Sequence, residues 1–354
     1  MPNYVDKINL NGNEADIKGC GDDRYYPGVD LTQKFAAEIS SYSDPWAWIK
    51  ARIQAGNFSK LHVGDYIPVT CSNNATFNAR IAGINTYKGY GDTAVGNHID
   101  FISASLWSIT FPMNKKNFNN GLSATENLTG DGTTTEFTLT KHFPSVTEVK
   151  IGGTATTAYT YDAANYKITF TTAPENDAAI VVTCSLRLHP WLVSNGYYFL
   201  NSLAGEVPNG AGNNPAMEAV DYTEGGVYYY LPAALKAVIV EKRMYLAQRY
   251  SDTAIQNEDT GGGWQNIGKL WLPTEFEIAG AKIGNDSRFS AMGSVQYPLF
   301  ANNMNRVIGR HYWWTISTVG ASSASFVFVS INGYMSGNAA SYAGRGPVCF
   351  RISA

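Results

Sequence analysis

From Ser123 to Leu186 the chain alternates with a period of two. Phe137/Leu139, Val149/Ile151, Tyr159/Tyr161, Tyr166/Ile168/Phe170 and Ile180/Val182/Cys184 each put every second residue on one face of an extended backbone. Turn signals separate them at Gly130-Asp131-Gly132, Gly152-Gly153, Asp162 to Asn165 and Pro174 to Asp177. Short alternating strands at this spacing predict a small all-β sandwich, Ig-like in kind. Helical periodicity is absent from the stretch and present on both sides of it, so the sandwich must be accommodated inside another fold. That constraint organises the reading of everything else.

Before the stretch, Asp44 can cap a helix whose first position is Pro45. Trp46, Ile49 and Ile53 then recur on one face, and Gly56 stops it. Val63–Ile67 and Arg80–Ile84 read as short strands. After it, the Gly/Asn-rich Gly205 to Gly226 reads as a surface loop. Leu231 to Tyr250 reads as a helix with a buried stripe of Leu235, Val238, Ile239, Tyr245 and Leu246. At the start, Tyr4 to Leu10, Asn11-Gly12 and Glu14 to Ile17 predict a hairpin, either an edge hairpin on the main domain or an attachment arm. The expected fold class is α+β, divided as an N-terminal β arm over 1–30, a main domain over 31–122 and 187–354, and the inserted β-sandwich over 123–186.

The last part of the chain has the most unusual chemistry. Thr274 and Glu277 form a capping box at the start of a short helix. Tyr312-Trp313-Trp314 opens a run of strands with an Asn332-Gly333 hairpin signal. Between Thr315 and Ala354 the only charged residues are Arg345 and Arg351, where a chain that is 16% charged would carry about six. Ser, Ala, Gly, Asn and Tyr replace them, the mixture of compact aromatic area and adaptable hydrogen bonding that binding loops favour. An ordinary Ser/Gly-rich loop surface is the plainer reading of the same residues.

Familiar catalytic and metal patterns are missing. The 26 basic and 29 acidic residues give a net charge of -3, without the basic footprint of a nucleic-acid binder. Cys20, Cys71, Cys184 and Cys349 lie far apart with no Cys-x-x-Cys, so buried free thiols are expected. The five histidines have no i,i+4 pairing for a metal. Gly263 to Lys269 imitates a phosphate-binding loop, but Leu270 stands where the Mg²⁺-binding hydroxyl belongs, and a turn into Leu270-Trp271-Leu272 is expected instead. Glu275 reads as a helix-start charge or internal salt-bridge partner, and no Gly-x-Ser-x-Gly elbow occurs. No apolar run reaches membrane-span length and no basic-then-apolar leader opens the sequence. No enzyme activity, cofactor, metal, nucleic-acid partner or membrane insertion is therefore expected.

The order of landmarks resembles the C-type-lectin-like domains of gut bacterial and phage proteins. Those carry Leu-Trp-Leu-Pro-x-Glu-x-Glu, Tyr-x-x-Phe, Tyr-Trp-Trp-x-x-Ser and Val-x-x-x-Gly, matched here by Leu270 to Glu277, Tyr297 to Phe300, Tyr312 to Ser317 and Val329 to Gly333. Trp191 to Ser194 with Leu200-Asn201 matches their Trp-x-x-Ser…Leu-Asn element. The chain departs at the closing strand, where Gly346 precedes Pro347 in place of the family's Arg and Arg345 lies one place earlier. The Ca²⁺ and sugar triplets Glu-Pro-Asn, Gln-Pro-Asp and Trp-Asn-Asp of the wider fold are missing. The related formylglycine-generating enzymes use a cysteine pair, for which no partnered cysteines are evident. Residues 123–186 resemble a β-module inserted in many phage structural proteins, from Gly130-Asp-Gly-Thr-Thr-Thr-x-Phe-Thr-Leu139 to the Ile168-Thr-Phe-Thr-Thr-Ala-Pro174 close. Tyr4-Val-Asp-Lys7 with Asn11-Gly12 is similar to the opening of phage tail and baseplate-associated proteins.

The resemblance implies a receptor-binding protein of a phage tail tip or fibre. It would bind a host cell-surface protein or glycan through the C-terminal face and other tail or virion proteins through the N-terminal arm. It further implies a homo-oligomer, a trimer by analogy, located in the virion or alternatively on a bacterial surface. Relatives include the variable proteins of diversity-generating retroelements, whose mutable residues lie on the C-terminal part of the fold. Carried onto this sequence, the ligand-contact candidates are Val319, Ala321, Ser322, Ser323, Ser325, Asn332, Tyr334, Asn338, Ser341 and Tyr342, with Tyr334 and Tyr342 as anchors. Phe326, Phe328, Val329, Ile331 and Trp313 or Trp314 are expected to hold the strands to the core, and Met335 to be a fixed position. The alternative is a structural virion subunit that uses the fold for subunit contacts alone.

Overall fold

A strand buried along its whole length needs cover on both faces and partners on both edges, and His98–Ser103 is such a strand. The computed structural model describes residues 7–10, 13–16, 27–114, 122–140, 146–162, 165–186, 189–208, 217–247, 262–281, 295–319 and 325–354. In chain order, β1 (Lys7–Leu10) and β2 (Asn13–Asp16) form the expected N-terminal hairpin. Two short helices, α1 (Leu31–Lys34) and α2 (Ala36–Ile39), precede α3 (Pro45–Gln54). The α3 start is the predicted one: Asp44 accepts from Trp46 N and Ala47 N, with Pro45 at the first turn. β3 (Tyr66–Thr70), β4 (Thr76–Ile84) and β5 (His98–Ser103) follow as an antiparallel meander.

Seven strands come next: β6 (Leu122–Thr129), β7 (Glu136–Thr138), β8 (Glu148–Ile151), β9 (Thr154–Thr156), β10 (Tyr159–Asp162), β11 (Lys167–Phe170) and β12 (Ala179–Leu186). They make two antiparallel sheets, ordered β6-β12-β8-β9 and β10-β11-β7. Leu139, Val149, Ile168, Phe170, Ile180 and Val182 form their own buried cluster, joined by Val193 from outside. β6 and β12 pair along their full length, with Leu122 opposite Leu186, so the first and last strands of the segment lie side by side.

The chain continues through a 3₁₀ turn (Pro190–Val193), α4 (Asn195–Asn201), β13 (Ala204–Pro208), β14 (Met217–Asp221), α5 (Val227–Tyr230), α6 (Ala233–Lys236), β15 (Arg243–Ala247) and β16 (Gly262–Asn266). Two expectations fail here. Gly205 to Gly226 is not simply a loop, because β13 and β14 pair from Ala204 to Asp221, with Val207 and Val220 turned inward. The expected Leu231–Tyr250 helix also fails over its described part, which ends at Ala247; residues 248–250 lie outside the described residues. α6 ends after one turn, Val240 N donates to Arg351 O (3.0 Å), and Arg243–Ala247 pairs with β16. Sheet hydrogen bonds and the burial of Lys242 outweigh the helical spacing. Leu235, Ile239 and Leu246 are still buried, though from separate elements, while Val238 and Tyr245 are half-buried.

Finally come α7 (Glu275–Ala279), two 3₁₀ turns (Pro298–Ala301 and Asn303–Arg306), β17 (Trp313–Thr318), β18 (Ser325–Val329), β19 (Met335–Ala339) and β20 (Cys349–Ser353). The central sheet is ordered β20-β5-β4-β3, so residues on both sides of the seven-strand segment build it. On one face Phe101 stacks on Phe350 (centroids 5.1 Å apart), and Trp46 of α3 meets both rings edge-on. The result is an α+β chain made mostly of antiparallel sheets. Among the described residues no helix is long and apolar enough to cross a membrane.

Candidate functional site

The three strands β17-β18-β19 form a separate antiparallel sheet, tied at β17 to the start of α7, whose Glu277 belongs to a network of buried charge. Alternation along β5 turns Phe101 toward α3 and Asp100 to the opposite face. There Arg351, directly across the ladder on β20, holds Asp100 through two bonds, Nε to Oδ1 (2.6 Å) and a terminal nitrogen to Oδ2 (2.8 Å). Tyr297 OH donates to the same carboxylate (2.9 Å) and accepts from Lys242 Nζ (2.8 Å). Lys242 also pairs with Glu277, whose Oε1 accepts from Tyr87 OH (2.7 Å). Lys242 Nζ lies 4.4 Å from the Tyr87 ring centroid and 4.8 Å from that of Trp271. Two cations and two carboxylates thus neutralise each other out of water, as burial of charge demands.

This environment moves the proton affinities of its members. Burial alone would raise the Asp100 carboxyl, but the Arg351 and Lys242 charges overcome it and hold it well below the usual carboxylate range. Burial, with the Glu277 charge, pushes the Tyr87 hydroxyl far up, and burial with the Asp100 charge does the same for Tyr297. His98 is depressed by burial, with Asp100 opposing and Arg351 reinforcing the shift. Its Nε2 accepts from Tyr87 N (3.1 Å), which leaves Nδ1 to donate to Gly96 O (2.9 Å). Burial raises the Cys71 thiol to about 11 and the Cys349 thiol well above its ordinary value, so neither is a thiolate nucleophile at neutral pH.

The network reaches the sheet through α7. The capping box is present, with Glu277 N donating to Thr274 Oγ1 (3.0 Å) and Thr274 N to Glu277 Oε2 (2.9 Å). Next to it Glu275 N donates to Ser317 Oγ (3.0 Å) and Ile316 N to Pro273 O (3.2 Å), tying β17 to the helix start. Glu275 and Glu277 are both buried. The Trp-x-x-Ser element braces the same region. Ser194 caps α4, and the Asn201 carboxamide bonds Lys269 N, Leu270 N and Leu270 O at 2.9–3.0 Å.

The outward face of the sheet is aromatic. Trp314 lies opposite Phe328, and Phe328 opposite Ser336, so Tyr334, Ser336 and Asn338 share that face by alternation. Tyr312 packs against Phe328 (5.1 Å) and Tyr342 (6.4 Å), and Tyr342 against Trp314 (6.2 Å). Tyr312, Tyr334 and Tyr342 remain 38%, 60% and 42% exposed. The Asn332-Gly333 turn forms as expected, with Gly333 N donating to Ser330 O (2.9 Å) and Gly333 at φ +82°. A Cβ at Gly333 would come within 3.1 Å of Val307 Cγ2, so the turn rests directly on the loop that follows Asn303–Arg306.

The contact candidates therefore separate. Tyr334, Asn338 and Tyr342 belong with the aromatic face, and Asn332 and Ser341 are exposed in the turns at either end of β19. Val319 and Ser325 are half-buried and belong with the other side of the sheet, where Val319 crowds Gly337. Ala321, Ser322 and Ser323 lie outside the described residues. Phe326, Val329, Met335 and both tryptophans are buried. Ile331 is not a core residue, because it sits in the turn and is 38% exposed; Phe328 is half-buried under Tyr312. Sequence reasoning missed Tyr312 as a face residue, although its two-residue offset from Trp314, just before β17, was available. Elsewhere, a hydroxyl-lined cleft of about 160 Å³ opens over Phe77 and Trp107. Its Ser103 hydroxyl is already engaged by Ser105 O (2.6 Å) and Val348 N (2.9 Å).

Among the described residues no three His, Cys, Asp or Glu side chains gather as a metal site would require. Comparison of the chain with protein-family models, with curated proteins and with solved structures gives no match.

Proposed function

We propose that this chain is a receptor-binding protein of a phage tail, with a C-type-lectin-like main domain over 31–122 and 187–354 that presents the aromatic face of β17–β19 to a host cell-surface ligand. The observation that carries the reading is the set of three exposed tyrosines, Tyr312, Tyr334 and Tyr342, on a sheet hydrogen-bonded to the helix that carries the buried Glu277–Lys242 pair. Exposed aromatic area on a rigid support binds with little entropy cost on ordering. The Ig-like segment over 123–186 is an insertion in that domain, and the N-terminal hairpin attaches the protein to other tail components. Recognition proceeds without catalysis, a reading supported by the buried, protonated Cys71 and Cys349 thiols.

The test is the double variant Tyr334→Ala/Tyr342→Ala, with labelled protein scored for adsorption across a panel of intact bacterial strains. Adsorption should be lost while the melting curve stays nearly unchanged, since each truncated interface aromatic costs about 2 kcal/mol or more of binding. Adsorption that survives the double change, and fails instead on removal of 123–186, places the binding surface on the other unit. Diversification is tested separately by the nucleotide sequence encoding Thr315 to Ala354. A near-copy beside a reverse transcriptase gene, differing at adenines of the codons for exposed positions but not at Met335, is the expected finding. The second reading, a structural subunit, draws on β19, which is one of the two outer strands of its sheet and offers an edge for pairing with a neighbouring copy.

A further inference from the structure

From Val295 to Ala354 the sequence contains no aspartate or glutamate, yet it carries Arg306, Arg310, Arg345 and Arg351. Arg351 pairs with buried Asp100 (2.6 Å), as Arg52 does with Glu38 (2.8 Å) and Arg243 with Asp92 in other parts of the chain. Arg306, Arg310 and Arg345 form no such pair among the described residues. Arg306 goes further, because its Nε is buried without any hydrogen-bond partner. Burial also holds its guanidinium below the ordinary arginine value, the mark of a cation desolvated without a compensating anion.

All three lie around the tyrosine face. Arg306 abuts the hairpin turn, its Cβ 3.3 Å from where a Gly333 side chain would begin. Arg310 is exposed two residues before Tyr312, with its backbone in the left-handed region at φ +52°. Arg345 follows Tyr342 by three residues, and its carbonyl accepts from Trp314 N (2.9 Å). Three arginines without an acidic partner among the described residues thus lie within a few residues, or one turn contact, of the three exposed tyrosines.

We propose that the ligand of this face is an acidic polysaccharide whose carboxylates are carried on its sugar rings. The inference rests on the receptor-binding reading above and specifies its ligand. A guanidinium binds a carboxylate through two parallel N–H···O bonds, a geometry that lysine does not supply. Tyrosine offers a flat apolar ring with a polar tip, suited to the C–H face of a sugar. A polymer of ring-borne carboxylates brings a stacking face and an anion together in every unit, matching a region that carries both exposed Tyr rings and Arg without acidic partners. A nucleic acid also combines rings and anions, but its binders carry a strongly basic surface, and this chain has a pI near 6.0 and a net charge of -3.

The experiment uses the full chain with short polygalacturonate and polysialic acid oligomers, and neutral dextran oligomers of matched length as control. At least one acidic oligomer should bind at low salt and weaken as salt rises, and dextran should not bind. Arg310→Gln/Arg345→Gln should weaken that binding at least about tenfold, the scale of losing charge-assisted hydrogen bonds, with unchanged melting. Failure of both acidic oligomers to bind overturns the proposal, as does binding that ignores the arginine change. Duplex DNA of equal charge binding as tightly also overturns it, because charge alone would then suffice. If the tyrosine double variant loses adsorption to cells while the arginine double variant keeps it, this inference fails and the receptor-binding reading stands. If the tyrosine double variant still adsorbs, the receptor-binding reading itself fails.

Discussion

Glu277 does three jobs at once: it closes the capping box, accepts from Tyr87 and neutralises Lys242. Only the first could be read from sequence, since Thr274 and Glu277 lie three residues apart, whereas Lys242 and Tyr87 are brought in by the fold. Glu277→Gln should leave Lys242 buried and uncompensated and cost about 3–5 kcal/mol, measured by urea unfolding. A loss under 1 kcal/mol would mean that Lys242 reaches water by another route. Gly268 is a second residue-scale constraint, at φ +97° with a Cβ position 2.7 Å from the Asn201 carboxamide. Gly268→Ala should lower the melting temperature by several degrees by straining the backbone and displacing Asn201 from Leu270. A melting curve identical to the parent's would show that Asn201 can yield freely.

Single elements were legible where one local pattern decides them. The α3 cap, the Asn332-Gly333 turn and the alternating strands of 123–186 are set by neighbours in sequence, and they formed where the pattern put them. β6 was not legible, because Leu122–Thr129 has little apolar alternation and owes its place to the partner strand β12. The Leu231–Tyr250 stretch misled for the opposite reason: its apolar spacing suits a helix, while the unpaired edge of β20 and the burial of Lys242 select an extended path. Because Leu122 pairs with Leu186, a short Gly/Ser linker in place of 123–186 spans a small gap. The remaining chain should keep one cooperative thermal transition. Loss of cooperativity would show that Val193 and its neighbours depend on strands β6 to β12.

For the molecule as a whole, two buried groups with depressed proton affinity shape the response to acid. His98 is neutral in the fold and free to charge when unfolded, so its contribution is complete above about pH 6.5 and declines below that. Asp100, held below the normal carboxylate range, contributes above the unfolded carboxylate value near 3.9 and loses that contribution as pH falls through the folded value. Both act in the same direction, so the denaturant midpoint should be flat from pH 8 to about 7 and fall in two stages as acid is added. His98→Gln should remove the first stage alone; a midpoint that rises on acidification would contradict both assignments. EDTA should change neither melting nor ligand binding, since the C-terminal face offers no carboxylates to a hard cation. The aromatic face was only half legible: the composition of 315–354 marked it, but which residues point together depends on strand register, which no local spacing reveals.

The position of β20 has a consequence for how the protein is made. The central sheet needs Cys349–Ser353 beside β5, and the pairing of Asp100 with Arg351 spans most of the chain. While the chain is still emerging from the ribosome, β5 has one open edge and Asp100 lacks its directly bonded partner Arg351. The strands from β6 to β12, by contrast, have all their partners as soon as Leu186 is clear. Synthesis should therefore produce a folded seven-strand unit first, tethered to a main body that waits for β20. Translation stalled short of Cys349 should yield a chain in which a protease trims everything except residues 122–186.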